Sequence, residues 1–198
     1  MGDPARKVAT YQDVLNAPEG MTAEILGGEL HLFPRPAVEH SAVEGGIAYE
    51  LEGPFMRDRG GPGGWLFLRE PELHLGKTEP TSVVAAPDLA GWRQARVASL
   101  PRVAAMTIPP DWICEVVSPG WANTRRDYVV KPAEYAAAGV PWLWLVDLQK
   151  RMLEVRHLQG GVYAVLQTFV GDDHIRAQPF DAVELGMGGW WLPDETAR

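Results

Sequence analysis

Apolar and polar positions alternate along this chain in short bounded runs. The most sharply bounded is Pro110-Asp-Trp-Ile-Cys-Glu115-Val-Val-Ser-Pro119, where Trp112 to Val117 is apolar except for one carboxylate. β-branched and aromatic residues in so short a run predict a strand, and apolarity on both faces predicts a buried one. Side chains alternate along a strand, so Ile113, Glu115 and Val117 share one face and Trp112, Cys114 and Val116 the other. Glu115 then lies on a covered sheet, where an unpaired carboxylate is costly. Its partner must be a basic side chain or a metal held together with other acids; the metal is the working expectation.

The rest of the pattern supplies the neighbours of this strand. Thr10 to Ala17 suits a short helix, with Thr10 as N-cap and Asp13 three residues on. Met21–Leu26, Gly27-Gly28 and Glu29–Phe33 read as a hairpin about a two-glycine turn, ended by Pro34 and Pro36. Val38 to about Arg59 reads as a long helix, with Val38, Ala42, Ile47, Leu51 and Phe55 as candidate buried positions. Gly60–Gly64 is a loop, Trp65–Arg69 and Glu72–Leu75 are strand-like, and a polar turn covers Gly76–Thr81. Ser82–Trp92 reads as one apolar strand carrying Asp88, followed by a polar connection from Arg93 to Ala105. Asn123–Ala138 is a helix stopped by Gly139, and Pro132 inside it requires a kink or a restart. Trp142–Asp147 is a second buried strand, Met152–Leu158 and Val162–Val170 form a hairpin about Gly160-Gly161, and Asp181–Leu185 adds a last strand or turn. This order indicates an α/β or α+β fold with a mixed sheet.

Composition narrows the function classes. With 198 residues the expectation is a single domain, 1–198, with a loose leader over residues 1–9. One cysteine, Cys114, excludes an internal disulfide and a cysteine zinc cluster and reads as core. Without an apolar run of membrane-spanning length or a signal-peptide pattern, the expectation is a soluble cytoplasmic protein with no membrane partner. The net charge of −8 argues against broad nonspecific binding to nucleic acid. A site built of carboxylates still becomes usable by a polyanion once metal is bound.

Asp88 follows Pro87, and Glu115 lies in the next strand; if those strands pair, the two carboxylates converge. Convergent carboxylates repel, and a hard divalent cation relieves the repulsion. Such a cation polarises a phosphate and acidifies a bound water, the means by which metal-dependent phosphodiesterases cut.

Four blocks then stand together: Pro87-Asp-Leu-Ala-Gly-Trp92; the Glu115 strand; Asp127-Tyr-Val-Val-Lys131 with Tyr135; and Gly139-Val-Pro-Trp-Leu-Trp-Leu-Val-Asp147. Their order resembles the Uma-two family of "putative restriction endonucleases", within the restriction-endonuclease-like superfamily of PD-(D/E)xK nucleases. The likeness runs from the Glu24 hairpin to Pro179-Phe180-Asp181. It implies a central mixed sheet flanked by helices and an Mg²⁺-dependent site, with Mn²⁺ able to substitute, that hydrolyses phosphodiester bonds in DNA. Asp88 matches the first acid of the motif and Glu115 the second, so both are expected metal ligands.

The third place departs from the motif. Lysine is expected two residues after the glutamate, and Val117 stands there. Lys131, on the following helix, is the substitute, flanked at four residues by Asp127 and Tyr135 on one helix face. Its bland alternative is a surface ion pair with Asp127. Glu39, Glu44 or Glu50 could complete the metal site, although solvated helix glutamates are the rule; Glu24 fits an edge residue as well as a site residue. Glu72 could approach the site, and His40 suits a structural hydrogen bond. Asp147 suits a turn cap, and Arg125 and Arg126 could meet phosphate. His31, His74, His157 and His174 lack zinc spacing, and no nucleotide loop or serine-nucleophile elbow occurs. The expected activity is that of a Mg²⁺-dependent DNA endonuclease, and since duplex cutting needs two sites a homodimer would suit it. The alternative is a nuclease fold kept as a binding or scaffold module, which Val117 and the acidic surface favour.

Overall fold

Capping decides where the first helix begins. In this computed structural model, which describes residues 8–76 and 83–193, the Thr10 amide and hydroxyl both donate to Asp13 Oδ2 at 2.8 Å and open α1 (Tyr11–Leu15). The expected hairpin follows as β1 (Met21–Leu26) and β2 (Glu29–Pro34). Gly27 and Gly28 take φ of +58° and +74°, which a side chain would resist. Of the expected leader, residues 1–7 lie outside the described part, whereas Ala9 is pinned by its amide to Gly28 O at 2.9 Å.

The long helix is α2 (Val38–Leu51), extended by a π-helical turn over Glu52–Met56. Ile47, Leu51 and Phe55 are buried as expected, and the buried face departs from the expected one only in the first turns. Val43, Ile47, Leu51 and Phe55 form the seam, whereas Val38 is 81% exposed and Ala42 half-buried. Polar His40 and Glu44 occupy the next buried positions, which is why apolarity alone misplaced the stripe. Next come β3 (Trp65–Arg69) and β4 (Leu73–Leu75). Of the expected polar turn, residues 77–81 lie outside the described part.

The single strand expected over Ser82–Trp92 is two. β5 (Val83–Ala85) and β6 (Leu89–Arg93) join different sheets, and Pro87-Asp88 lies at the break, where proline has no N–H for a ladder. β7 (Trp112–Val117) is buried at every position. The following helix starts at Trp121, two residues before the expected Asn123: α3 (Trp121–Arg125), a π-helical turn over Arg126–Val130, then α4 (Lys131–Ala137). Pro132 cannot donate to a carbonyl one turn back, so hydrogen bonding widens ahead of it and a regular helix restarts at Lys131. β8 (Trp142–Asp147), β9 (Met152–Gln159) and β10 (Val162–Val170) follow as expected. The pattern did not announce β11 (His174–Ile175), which pairs with β12 (Leu185–Gly186) at the end of the strand or turn expected over Asp181–Leu185.

A six-stranded mixed sheet, ordered β10-β9-β8-β7-β6-β3, carries β7 at its interior. β7 and β8 run parallel, joined through the helical segment, and β6 lies antiparallel to β7. A four-stranded sheet, β2-β1-β5-β4, packs beside it. The two faces of β7 feed two cores. Trp112, Cys114 and Val116 meet the α2 seam and the C-terminal Phe180 and Trp190. Ile113 and Val117 meet Tyr135, Val140 and side chains of the second sheet. Glu115, on this second face, is the polar exception. No helix among the described residues is long and apolar enough to cross a membrane.

Phe180 is the hub of the first core, its ring centroid 4.8 Å from Trp65, 4.9 Å from Phe55, 5.1 Å from Trp112 and 5.5 Å from Trp144. Phe180→Ala should cost about 3–5 kcal/mol, read as a lower urea midpoint at unchanged slope, and Phe180→Leu clearly less.

Candidate active site

Strand register places the acids. Leu89 faces Cys114 across the β6–β7 ladder, so the next residue back, Asp88, stands beside Glu115. Asp88 is held there by the Val116 amide, which donates to Oδ2 at 2.6 Å. Its Oδ1 lies 2.7 Å from His40 Nε2, and His40 Nδ1 lies 2.9 Å from Ser118 Oγ. His40 thus ties α2 to the loop before β6 and to the end of β7.

Glu115, only 2% exposed, takes a basic partner. Lys131 Nζ donates to Oε2 at 2.9 Å, and the Tyr135 hydroxyl donates to Oε1 at 2.5 Å. Lys131 and Tyr135 are four residues apart on α4, which explains how one helix face reaches both carboxylate oxygens. Lys131 also pairs with Glu24 Oε1 at 3.0 Å, reaching across to β1. That same Glu24 oxygen accepts the Ala86 amide at 2.8 Å, while Oε2 is buried without a hydrogen-bond partner among the described residues. The ammonium is therefore shared by two buried carboxylates, one from each sheet. The surface pair with Asp127 is not what forms: Asp127 is buried and takes the Arg126 guanidinium at 2.7 and 3.2 Å.

Of these groups, Asp88, His40, Ser118, Glu115, Lys131 and Arg126 line a cavity of about 880 Å³, between the open end of the β1–β2 hairpin, the start of α2 and the start of the β7–β8 helical segment. Glu44, Glu70, Asp88 and Glu115 face it together with His40, Ser118, Arg126 and Lys131. Burial, together with nearby Asp88 and Glu70, pushes Glu44 up to about 7. Burial likewise pushes Glu115 up to about 8, against the pull of Lys131 and with the push of Asp88, Asp127 and Glu24. Burial works against a charge on Lys131, but Glu115 and Glu24 outweigh it and raise its pKa, so the ammonium persists. Burial also opposes a charge on His40, and its bond to Asp88 reverses that.

A family of proteins described as "Putative restriction endonuclease", Uma2, matches residues 8–188. The chain belongs to the Uma2 family. Among solved structures, a "putative nuclease belonging to DUF820" from Anabaena variabilis is similar with a TM-score of 0.71 at 19% identity, over 93% of this chain and 99% of that one. No curated protein matches. At that identity the likeness establishes the fold, which is the restriction-endonuclease-like one implied by the four sequence blocks.

In this Uma2 protein Asp88, Glu115 and Lys131 line one cavity, as do Glu39, Glu44 and Arg126. Glu72 instead holds Tyr11 and His74, each at 2.8 Å. Asp147 caps its turn through the Lys150 amide at 3.0 Å, and Arg125 is exposed. Glu50 is not part of the cavity lining. Sequence reasoning undervalued Glu44, set aside as one of several helix glutamates, and left Glu24 undecided. Spacing carried the signal for the first: His40, Glu44, Ile47 and Leu51 keep one helix face. For Glu24 the contact arises only from the packing of two sheets.

A hard divalent cation suits the chemistry of this donor set. Asp88 and Glu115 each accept two hydrogen bonds, out of about four lone-pair positions per carboxylate, so free lone pairs remain. The buried, unpartnered Glu24 Oε2 and the upward shifts of Glu44 and Glu115 mark the same excess of negative charge. Among the described residues no three His, Cys, Asp or Glu side chains converge on one point.

The raised Glu115 value fixes the sign of a stability effect. The folded protein retains a proton that the unfolded chain releases near 4.5, so stability should fall as pH rises from about 4.5 to about 8 and level off above. One such proton gives a slope of about 1.4 kcal/mol per pH unit at most. Chemical unfolding of metal-free protein across this range should show that decline; Glu44, raised to about 7, adds to it below that pH, so Glu115→Gln should reduce the slope up to about 7 and flatten it above.

Proposed function

We propose that this protein is an endonuclease that hydrolyses phosphodiester bonds in DNA, with Asp88 and Glu115 as the residues that hold Mg²⁺. The observation that carries the reading is Lys131 Nζ, 2.9 Å from Glu115 in a cavity that Asp88 also lines. A lysine beside the second acid is what the superfamily motif requires, and Val117 cannot supply it. Here the cation comes from the helix instead of the strand. Glu44 is the third acid within the same space.

Hydrolysis requires water to attack phosphorus in line, the excess charge on the phosphate oxygens to be neutralised, and the leaving oxygen to receive a proton. Bound at these acids, Mg²⁺, or Mn²⁺ in its place, supplies Lewis-acid polarisation of the phosphate and a lowered pKa for water. Lys131 supplies fixed positive charge. Its raised pKa makes it a poor base, so its role is to stabilise the developing phosphorane charge and to orient water. Two of its three N–H bonds are aimed at Glu115 and Glu24, which fixes the head group at the cavity wall. Tyr135 fixes Glu115 from the other side, and His40 fixes Asp88.

A nuclease fold that has lost its chemistry is the rival reading, and Val117 is what favours it. The two separate on metal binding. Calorimetry with Mn²⁺ should show saturable binding that Glu115→Gln abolishes, and affinity should strengthen as pH rises through about 8, where Glu115 gives up its proton. In Mg²⁺, DNA offered as single strands and as plasmid should be cut in at least one form by the native protein, and Lys131→Met should slow that cutting by about 10²–10³-fold. Saturable metal binding without cutting under any condition would leave the binding-module reading.

A further inference from the structure

The wall of the cavity carries a feature that the hydrolytic groups do not use. Phe33, at the end of β2, is half-buried and, among the described residues, is the one aromatic ring in the lining besides the imidazole of His40. The Arg126 guanidinium lies over this ring, 4.2 Å from its centroid. Arg126 is not free to swing away, because Nε and Nη2 donate to buried Asp127 at 2.7 and 3.2 Å. One aromatic plane and one cationic plane are therefore fixed against each other before any ligand arrives. Nucleic-acid bases stack on both kinds of surface.

The surrounding charge says which form of DNA such a wall fits. Duplex DNA is held by rows of cations on its phosphates. Of the basic side chains in the lining, Arg126 and Lys131 are both committed to carboxylates and Arg35 is exposed, whereas five acids, Glu39, Glu44, Glu70, Asp88 and Glu115, face the same space. The net charge of −8 offers no compensating field. Asp88 and Glu115 are only 8% and 2% exposed, so a phosphate has to enter the cavity to reach them. The volume of about 880 Å³ falls in the range of small-molecule sites, about 300–1,000 Å³. A strand with unpaired bases can fold a short segment into that space, whereas a duplex brings its paired bases and second backbone with it.

We propose that the site takes unpaired DNA, with one base stacked on the Phe33–Arg126 pair while its phosphate is directed to the acids. This rests on reading the cavity as a nuclease site. The test is fluorescence anisotropy of the full-length protein with a labelled single strand and with its blunt duplex, Ca²⁺ being present to neutralise the acids. The single strand should bind more tightly than the duplex. Phe33→Leu, which keeps apolar bulk but removes the π face, should weaken single-strand binding about tenfold or more, and Phe33→Tyr should restore it, with thermal melting unchanged in both. Equal affinity for strand and duplex, no binding of either, or a Phe33→Leu protein that binds single strands normally, would each overturn the proposal. Phe33-dependent strand binding by a protein that cuts no DNA would retain the ligand and remove the nuclease; cutting of duplex DNA at full rate by Phe33→Leu would do the reverse.

Discussion

A carboxylate buried inside a sheet sets the terms for the rest of this structure. Glu115 is one of six consecutive covered positions in β7, and its two oxygens need donors that the strand cannot provide. Lys131 and Tyr135 answer from one face of α4, and the π-helical turn ahead of Pro132 belongs to the segment that presents them. The answer is incomplete in charge. Two buried glutamates share one ammonium, Glu24 keeps an oxygen without a partner among the described residues, and Glu115 is pushed up to about 8. Replacing such an arrangement by apolar side chains would often be neutral or stabilising. The proposed metal would relieve that excess of negative charge.

The position of the lysine shows how one geometry can be reached by two routes. On a strand, a residue two places after the glutamate shares its face; in this chain that place holds Val117, which packs in the second core. The helix behind the sheet delivers the ammonium to the same carboxylate from sixteen residues away. Delivery from a helix needs a long side chain steered over several ångström, and Glu24 on β1 supplies the second anchor at 3.0 Å. The two sheets are therefore coupled through the site, because Glu24 and Ala86 come from one and Glu115 from the other.

Much of this was legible in the amino-acid order, for identifiable reasons. The Glu115 strand, the Gly27-Gly28 hairpin, the Trp142–Asp147 strand and the restart at Pro132 follow from short-range pattern and backbone chemistry, and the structure has all four. What failed was local inference about residues whose place is set by distant ones. Val38 looked like a core residue and is solvent-exposed, because buried His40 and Glu44 rotate the inward face of α2 toward Asp88. Ser82–Trp92 looked like one strand because apolar content hides a change of sheet at Pro87. Glu24 and Lys131 lie 107 residues apart, and no period or spacing connects them. Sequence offered two ways to satisfy Glu115, and the structure uses the basic one while leaving acids and lone pairs for a cation.

The most direct measurement of a shared metal is anomalous diffraction from crystals soaked in Mn²⁺. A peak lying within coordinating range of both Asp88 and Glu115, and absent from Glu115→Gln crystals, is the expected result. A map with no peak there at saturating Mn²⁺, the two carboxylates still bound only to His40, the Val116 amide, Lys131 and Tyr135, would contradict it.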